Sequence, residues 1–277
     1  IIVTGANTGV GKATATELAK LGATIIVACR DTAKGDAAVS EIKRVSKNQN
    51  VQCMHLDLTD FDSVRKFVDE FKQVYGKLDV LVNNAGLVSL KRQSTKKHNL
   101  ELTMATNHFG PFLLTNLLLD LLKQSSYARI INVSSLGHQV GEALKGLDFD
   151  DLNNEKSFVD VYYKSKLANV LFTYELQKRL SDTNIICSAV HPGFVDSEIF
   201  RELGLLNLLA APLFMLCAKS TLQGAQTTLH CVLKPDLEKG KYYSDCKAVK
   251  SSPISYSEEQ QRKLWEASKK ITGFAQK

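Results

Sequence analysis

The sequence has no long hydrophobic run, no Cys-x-x-Cys pair, no stripe of basic residues and no Pro/Gly-rich linker, and each absence removes a class of protein. Its most apolar stretch, residues 203–218, falls short of the roughly 18 to 20 apolar residues that span a bilayer, and Pro212 interrupts it. The six cysteines, Cys29, Cys53, Cys187, Cys217, Cys231 and Cys246, stand singly, with no histidine at metal spacing beside them. Several lie in apolar runs such as Ile185-Ile186-Cys187, where free cysteine behaves as a small hydrophobe. Neither a structural zinc nor a secreted disulfide framework is implied, and a reducing compartment fits better. The net charge of +6 is scattered, and its densest pairs, Lys96-Lys97 and Lys269-Lys270, read as solvated helix faces. Without interleaved aromatics, nothing points to nucleic-acid binding. Internal repeats and low-complexity tracts are missing too, which argues against an array of domains.

What is present is an ordinary globular composition, 44% hydrophobic and 23% charged over 277 residues, enough for one large core. Short β-branched runs predict strands over 1–4, 24–29, 51–55, 80–82, 129–133 and 185–190. Amphipathic runs between them predict helices over 12–21, 32–45, 61–75, 100–122 and 161–180, and a last helix over 258–271 closes the chain. Apolar strands bridged by helical crossovers specify an α/β fold, a single doubly wound Rossmann-type domain over 1–277 with a parallel sheet flanked by helices on both faces.

Two constellations carry chemistry. Thr4-Gly5-Ala6-Asn7-Thr8-Gly9-Val10-Gly11 lies between the first strand and the first helix. There, glycines allow a tight turn and let the backbone approach a pyrophosphate, whose charge is stabilised at the helix N-terminus. In Val161-Tyr162-Tyr163-Lys164-Ser165-Lys166, Tyr162 and Lys166 stand four apart and share a helix face. A phenol beside an ammonium makes an acid/base pair, the cation favouring the phenolate. On its own, Tyr-x-x-x-Lys far more often describes an aromatic and a surface lysine on an ordinary helix.

The spacing Gly-x-x-x-Gly-x-Gly resembles that of the short-chain dehydrogenase/reductase family, and the resemblance then runs over nearly the whole chain. By that resemblance Asn7, Thr8 and Val10 line the cofactor with Gly5, Gly9 and Gly11. Asp57, with Leu58 in His-Leu-Asp-Leu, matches the family's adenine-contacting aspartate. Asn83-Asn84-Ala85-Gly86 matches its strand-stabilising and cofactor-lining motif, giving Asn84, Ala85 and Gly86 as contacts. Asn107 matches the asparagine that distorts the long helix and holds a water. Ser135 matches the substrate-orienting serine, and Tyr162 and Lys166 the catalytic pair, with Tyr163 outside the required spacing. His191-Pro192-Gly193-Phe194-Val195-Asp196-Ser197 matches the segment beside the nicotinamide, so Pro192, Gly193, Val195 and Ser197 are expected there, Ser197 standing where the family usually has threonine. The histidines His108, His138 and His191 are assigned no role.

Several phrases look like the retinol dehydrogenase subgroup: Thr4 to Lys12, Ala28-Cys29-Arg30-Asp31, Asn132-Val133-Ser134-Ser135 with His138 close behind, and Ser165 to Phe172. The 27 residues from Ser135 to Tyr162 exceed the spacing of compact members, and the extra segment, including 148–155, is expected to form a substrate-side loop. The resemblance implies an oxidoreductase interconverting an apolar alcohol and its aldehyde or ketone, retinol/retinal-like. The alternatives are a carbonyl or steroid reductase and a non-catalytic cofactor-binding regulatory protein. NADP(H) is expected over NAD(H): 18 positions beyond Gly11 stands Cys29 rather than an acidic residue, and Arg30 follows, with a fork of donors suited to a phosphate. Asp31 complicates this, since a carboxylate there would repel the phosphate or serve NAD; it is expected instead to point away or to cap the helix that begins near Thr32.

The stretch 203–218 reads either as a buried core helix or as a lid over a small apolar substrate, with peripheral membrane contact as a corollary. A homo-oligomer is compatible with all of this. The expected location is cytoplasmic or cytosol-facing. The chain has no initiator Met and Ile1 already belongs to a strand, so a removed upstream segment is expected, and an endoplasmic-reticulum anchor there stays open.

Overall fold

The computed structural model describes residues 1–89, 91–149, 152, 158–195 and 218–275. The six β-branched runs form strands close to their expected bounds: β1 Ile2–Thr4, β2 Ile25–Cys29, β3 Val51–His55, β4 Val80–Asn83, β5 Arg129–Val133 and β6 Ile186–His191. Two more, β7 Lys241–Ser244 and β8 Lys247–Val249, extend the sheet to the order β3-β2-β1-β4-β5-β6-β7-β8. The strands from β3 through β7 run parallel, and β8 returns antiparallel from β7. The turn between β7 and β8 places Asp245 at φ 48° and Cys246 at φ 59°. Two consecutive left-handed residues suit a tight hairpin, but the usual Asn-Gly or Asp-Gly signal is missing. That is why this hairpin was not expected from the sequence.

The helices are α1 Gly9–Lys20, α2 Thr32–Ser46, α3 Phe61–Val74, α4 Leu102–Met104, α5 Gly110–Lys123, α6 Phe158–Arg179, α7 Thr221–Leu233 and α8 Glu258–Thr272. Helix α7 was also unforeseen. Its signal was nevertheless present: Ser220 accepts the Gln223 N–H while the Gln223 side chain accepts the Ser220 N–H, a capping box. The helix expected over 100–122, with a distortion at Asn107, is broken there: Ala105–Phe109 forms a π-helical turn between α4 and α5. Such single-turn bulges mark functional sites more often than stretches of plain helix.

Alternation along each strand feeds two cores. Ile2 and Leu81 face α3, α5, α6 and α8, whereas Val3, Val80 and Val82 face α1, α2 and α7. Helix α6 is buried over most of its circumference because α8 covers it from outside. Trp265 of α8 stacks 6.0 Å from Phe172 of α6 and meets Phe112 of α5 edge-on at 5.1 Å. Truncating a buried aromatic of this kind costs about 3 to 5 kcal/mol.

Strand order reverses between β1 and β4, and the crevice above their carboxyl ends is where open α/β sheets bind ligands. The stretch 203–217, Ser197 and residues 150–151 and 153–157 of the expected substrate-side loop lie outside the described residues. Among the described residues no helix is long and apolar enough to cross a membrane.

Candidate active site

Beyond β1 the chain turns at Gly5, at φ +65°, and enters α1 at Gly9. A side chain at Gly5 would sit 3.0 Å from the Ala85 Cα, and one at Gly11 only 2.4 Å from Asn84 Nδ2 and 2.7 Å from the Gly5 carbonyl. These glycines let the loop lie directly against the Asn84-Ala85 turn after β4. Gly9, at φ +58°, faces open space instead. Thr8 occupies the N-cap of α1, but its side chain bonds no helical N–H, and the first turn carries no acidic residue. The positive end of the helix is thus left without an internal acceptor, which suits a phosphate.

The loop opens onto a cleft of about 590 Å³, and every cofactor residue expected between Gly5 and Gly86 lines it. Arg30 stands exposed on its rim beside Lys34, a second cation that sequence reading missed. Asp31 N-caps α2 as expected, accepting the Lys34 N–H at 3.1 Å, with Lys34 Nζ 3.8 Å from its other oxygen. Asp57 Oδ1 accepts both the N–H and the hydroxyl of Thr59, at 2.9 and 2.7 Å, which holds its carboxylate at the wall. Thr4 was also missed. Its hydroxyl accepts the N–H groups of Asn84 and Ala85 at 3.0 and 2.9 Å, and the Asn84 amide donates back to its carbonyl at 2.8 Å. Backbone groups on both sides of the switch point are thereby fixed to one another.

The catalytic candidates come from three separate elements. Asn107 lies in the π turn, where its amide donates to Leu87 O and Ser165 Oγ, each at 3.0 Å, and its oxygen accepts the Leu87 N–H at 2.8 Å. Ser135 follows β5 and caps the 3₁₀ turn Leu136–Gln139, accepting the Gly137 N–H at 3.1 Å. Tyr162 and Lys166 share one face of α6. The Ser135 hydroxyl lies beside the Tyr162 phenol, where it favours the ionised form. Lys166 Nζ donates to Val133 O at 3.2 Å and lies 5.5 Å from the centre of the Tyr162 ring.

Cleft and cluster meet at Gly86, where a side chain would come within 3.3 Å of both Asn107 Oδ1 and Lys166 Nζ. Two residues outside the expected set secure α6 to β5: Ser134 Oγ donates to Lys166 O at 2.7 Å, and Asn169 Nδ2 to Val133 O at 3.1 Å. Tyr163 points elsewhere, its ring filling the space over Gly137 and Gly141.

The electrostatics correct one expectation. The Tyr162 phenol is not lowered beside Lys166; burial pushes it up to about 12, partly offset by the Ser135 hydroxyl. Lys166 is itself lowered to about 8, again by burial. In the protein as described, loss of hydration outweighs a cation some 5 Å from the ring.

Pro192, Gly193 and Val195, expected beside the nicotinamide, are not among the residues lining the cleft; Gly193 adopts φ +90° and the Lys219 side chain lies across it. Lys219 pairs with Asp245 of the β7–β8 turn, and its backbone forms a bridge to Val195. Gly224 of α7 lets Val195 and Val10 pack together, since a side chain there would meet them at 2.5 and 3.1 Å. The unforeseen α7 therefore joins the two ends of the site.

The family model for short chain dehydrogenases matches residues 1–147. Retinol dehydrogenase 12 of Mus musculus is 46% identical over 278 residues, covering 99% of this chain and 86% of the relative. Retinol dehydrogenase 11 of Homo sapiens is 42% identical with the same coverage. Among solved structures, an uncharacterised protein from Mycobacterium paratuberculosis superposes with a TM-score of 0.78 at 34% identity, covering 98% of this chain and 92% of its own. With the glycine turn, the switch-point cleft and the Ser135–Tyr162–Lys166 cluster in place, the chain belongs to the short-chain dehydrogenase family, resembles retinol dehydrogenases, and is an NAD(P)-dependent oxidoreductase acting on CH–OH groups.

Proposed function

We propose that this protein interconverts an apolar alcohol and its aldehyde or ketone, retinol/retinal-like, with NADP(H) preferred over NAD(H). The carrying observation is that Ser135 and Tyr162 stand side by side next to Lys166, at the end of a cleft fitted to a dinucleotide. A bound nicotinamide cofactor supplies or accepts the hydride. Tyr162 donates its proton to the carbonyl oxygen in reduction and removes it from the alcohol in oxidation. A phenol held near 12 is fully protonated at neutral pH and so starts as the acid. Ser135 donates to the same oxygen where negative charge develops. Lys166, lowered to about 8, still carries most of its charge at neutral pH and favours the phenolate that remains after proton transfer. Asn107 holds the π turn against Leu87 and Ser165, and a water held there would link Lys166 to solvent.

The substrate class rests on the retinol dehydrogenase relatives and on apolar surface near the cluster. Val140 and Leu144, in the turns that follow Ser135, and Phe194, after Gly193, are all exposed. The cofactor preference rests on Arg30 and Lys34 at the rim, with one oxygen of Asp31 engaged in capping α2. Purified protein screened against retinoids, steroids and lipid aldehydes, with both cofactors, tests the reading through absorbance of the reduced nicotinamide. Turnover confined to polar alcohols, or tighter binding of NAD than of NADP, would overturn it.

A further inference from the structure

His138 takes no part in the scheme above, yet it is fully buried three residues after Ser135. Both ring nitrogens are engaged by backbone. Nδ1 lies 2.6 Å from the Ser135 carbonyl, which also receives the His138 N–H at 3.2 Å. Nε2 accepts the N–H of Ser252 at 3.2 Å, from a segment 114 residues further along the chain. A carbonyl can only accept and an amide N–H can only donate, so the neighbours dictate the tautomer: neutral imidazole with its proton on Nδ1.

The far anchor is itself held firmly. Ser251 Oγ bonds the Tyr174 hydroxyl of α6 at 2.7 Å and Ser255 Oγ at 2.6 Å, and Ser255 Oγ donates to Ser252 O at 2.6 Å. One end of the imidazole thus rests on a rigid buried network, and the other holds the peptide that leaves Ser135. The orientation of that peptide sets where the Ser135 hydroxyl points.

We propose that His138 is a positioning residue for the reaction: its imidazole ties the carbonyl of Ser135 to the Ser252 backbone and keeps the Ser135 hydroxyl aimed at the oxygen it shares with Tyr162. This rests on Ser135 being the substrate-orienting serine. The consequence is a split in kinetic parameters, because a misaimed hydroxyl weakens transition-state contact while cofactor and substrate still bind.

The test uses the full chain with retinol, or the best substrate of the screen above. His138→Phe keeps the ring volume and removes both hydrogen bonds. It should lower kcat roughly 10- to 100-fold while KM and the cofactor Kd stay within about twofold. His138→Asn returns an amide donor near the place of Nδ1–H and should recover most of the loss. Ser252→Pro deletes only the backbone N–H, since Ser252 already sits at φ −59°, a proline angle, and its hydroxyl has no partner.

In ¹⁵N spectra the wild-type ring should appear as the neutral Nδ1–H tautomer; Ser252→Pro should keep that tautomer, since the Ser135 carbonyl still requires it, but shift the Nε2 signal as its hydrogen bond is lost, and lower kcat. Those spectra and that variant decide the matter should His138→Phe fail to fold. Gln139→Ala cuts another contact between the same two segments, Nε2 to Lys250 O, and should leave kcat unchanged. An Nε2–H or cationic ring in the wild type, unaltered kcat in His138→Phe, or an equal loss in Gln139→Ala would each overturn the proposal. Ser135→Ala separates the two levels. If it is inactive while His138→Phe turns over normally, only the histidine's role falls; if Ser135→Ala is fully active, the reading of the site falls with it.

Discussion

Between Gly5 and Gly86 the site is built chiefly of backbone, and between Asn107 and Lys166 it is built of side chains. The first region offers open helical N–H groups, a left-handed turn and two glycines pressed against Asn84-Ala85. The second offers two hydroxyls, an amine and an amide, of which the amide is held by Leu87, the amine by Val133 and the Ser135 hydroxyl by its own turn at Gly137. A backbone site is spoiled by adding atoms, because its shape depends on close approach. A side-chain site is spoiled by removing atoms, because its chemistry resides in them. Four experiments separate the two regions.

The largest effect is expected from deleting one oxygen. Tyr162→Phe keeps the ring and its packing but removes the proton donor, and turnover should fall by roughly 10²- to 10⁴-fold. Cofactor affinity, measured by fluorescence titration, should stay near wild type. Tyr163→Phe should be mild, since that ring packs over Gly137 and Gly141. The reverse pattern would mean that the wrong tyrosine has been assigned.

Adding one carbon tests the other region. Gly11→Ala drives a methyl into Asn84 and the Gly5 carbonyl, at 2.4 and 2.7 Å, and overpacking of this kind costs about 1 to 3 kcal/mol. Cofactor Kd should rise about tenfold or more, since about 1.4 kcal/mol is a factor of ten. At saturating cofactor, kcat should change little. A loss confined to kcat would dissolve the contrast between the regions.

A smaller, selective effect is expected at the rim. Arg30→Ala should weaken NADP binding by about one to two orders of magnitude, the worth of charge-assisted hydrogen bonds, and leave NAD binding nearly unchanged. Equal losses for both cofactors would show that Arg30 does not discriminate, and Lys34→Ala becomes the next comparison.

The smallest effect is on stability, and it resides in the side-chain region. Burial lowers His108 to about 3 and His191 to about 4, both below the ordinary histidine value. As pH falls below about 6.5 the unfolded chain takes up protons that the folded chain refuses. Stability is therefore fully present above that value and declines toward the folded-state values. His108→Gln removes one such group and should flatten the slope between pH 6.5 and 4 by up to about 1.4 kcal/mol per pH unit. Urea unfolding at several pH values measures this, and unchanged slopes would show that His108 does not contribute.

Much of this was legible in the residues themselves. The six β-branched runs became strands because alternating residues feed two cores, and their bounds moved by no more than a residue at either end. The expected helix over 12–21 begins earlier, at Gly9, because Gly9, Val10 and Gly11 already form its first turn. What local rules did not disclose depends on distant partners. The π turn at Ala105–Phe109 is fastened by Asn107 to Leu87 and Ser165, 20 and 58 residues away. Likewise Thr4 bonds groups 80 and 81 residues along the chain, and His138 reaches Ser252.

The sequence by itself determined the layered α/β architecture, the glycine turn that admits a phosphate, and the pairing of Tyr162 with Lys166 on one helix face. These follow from local rules: the strand period of two, the helix period near 3.6, and the conformational freedom of glycine. Only the tertiary structure decided that Ser135 meets Tyr162, that Asp31 caps α2 with one oxygen while Lys34 joins Arg30, and that the phenol sits near 12 rather than below its ordinary value. The physical reason is common to all three. Hydrogen-bond geometry and desolvation depend on what surrounds a group in space, and near neighbours in the chain supply only part of those surroundings.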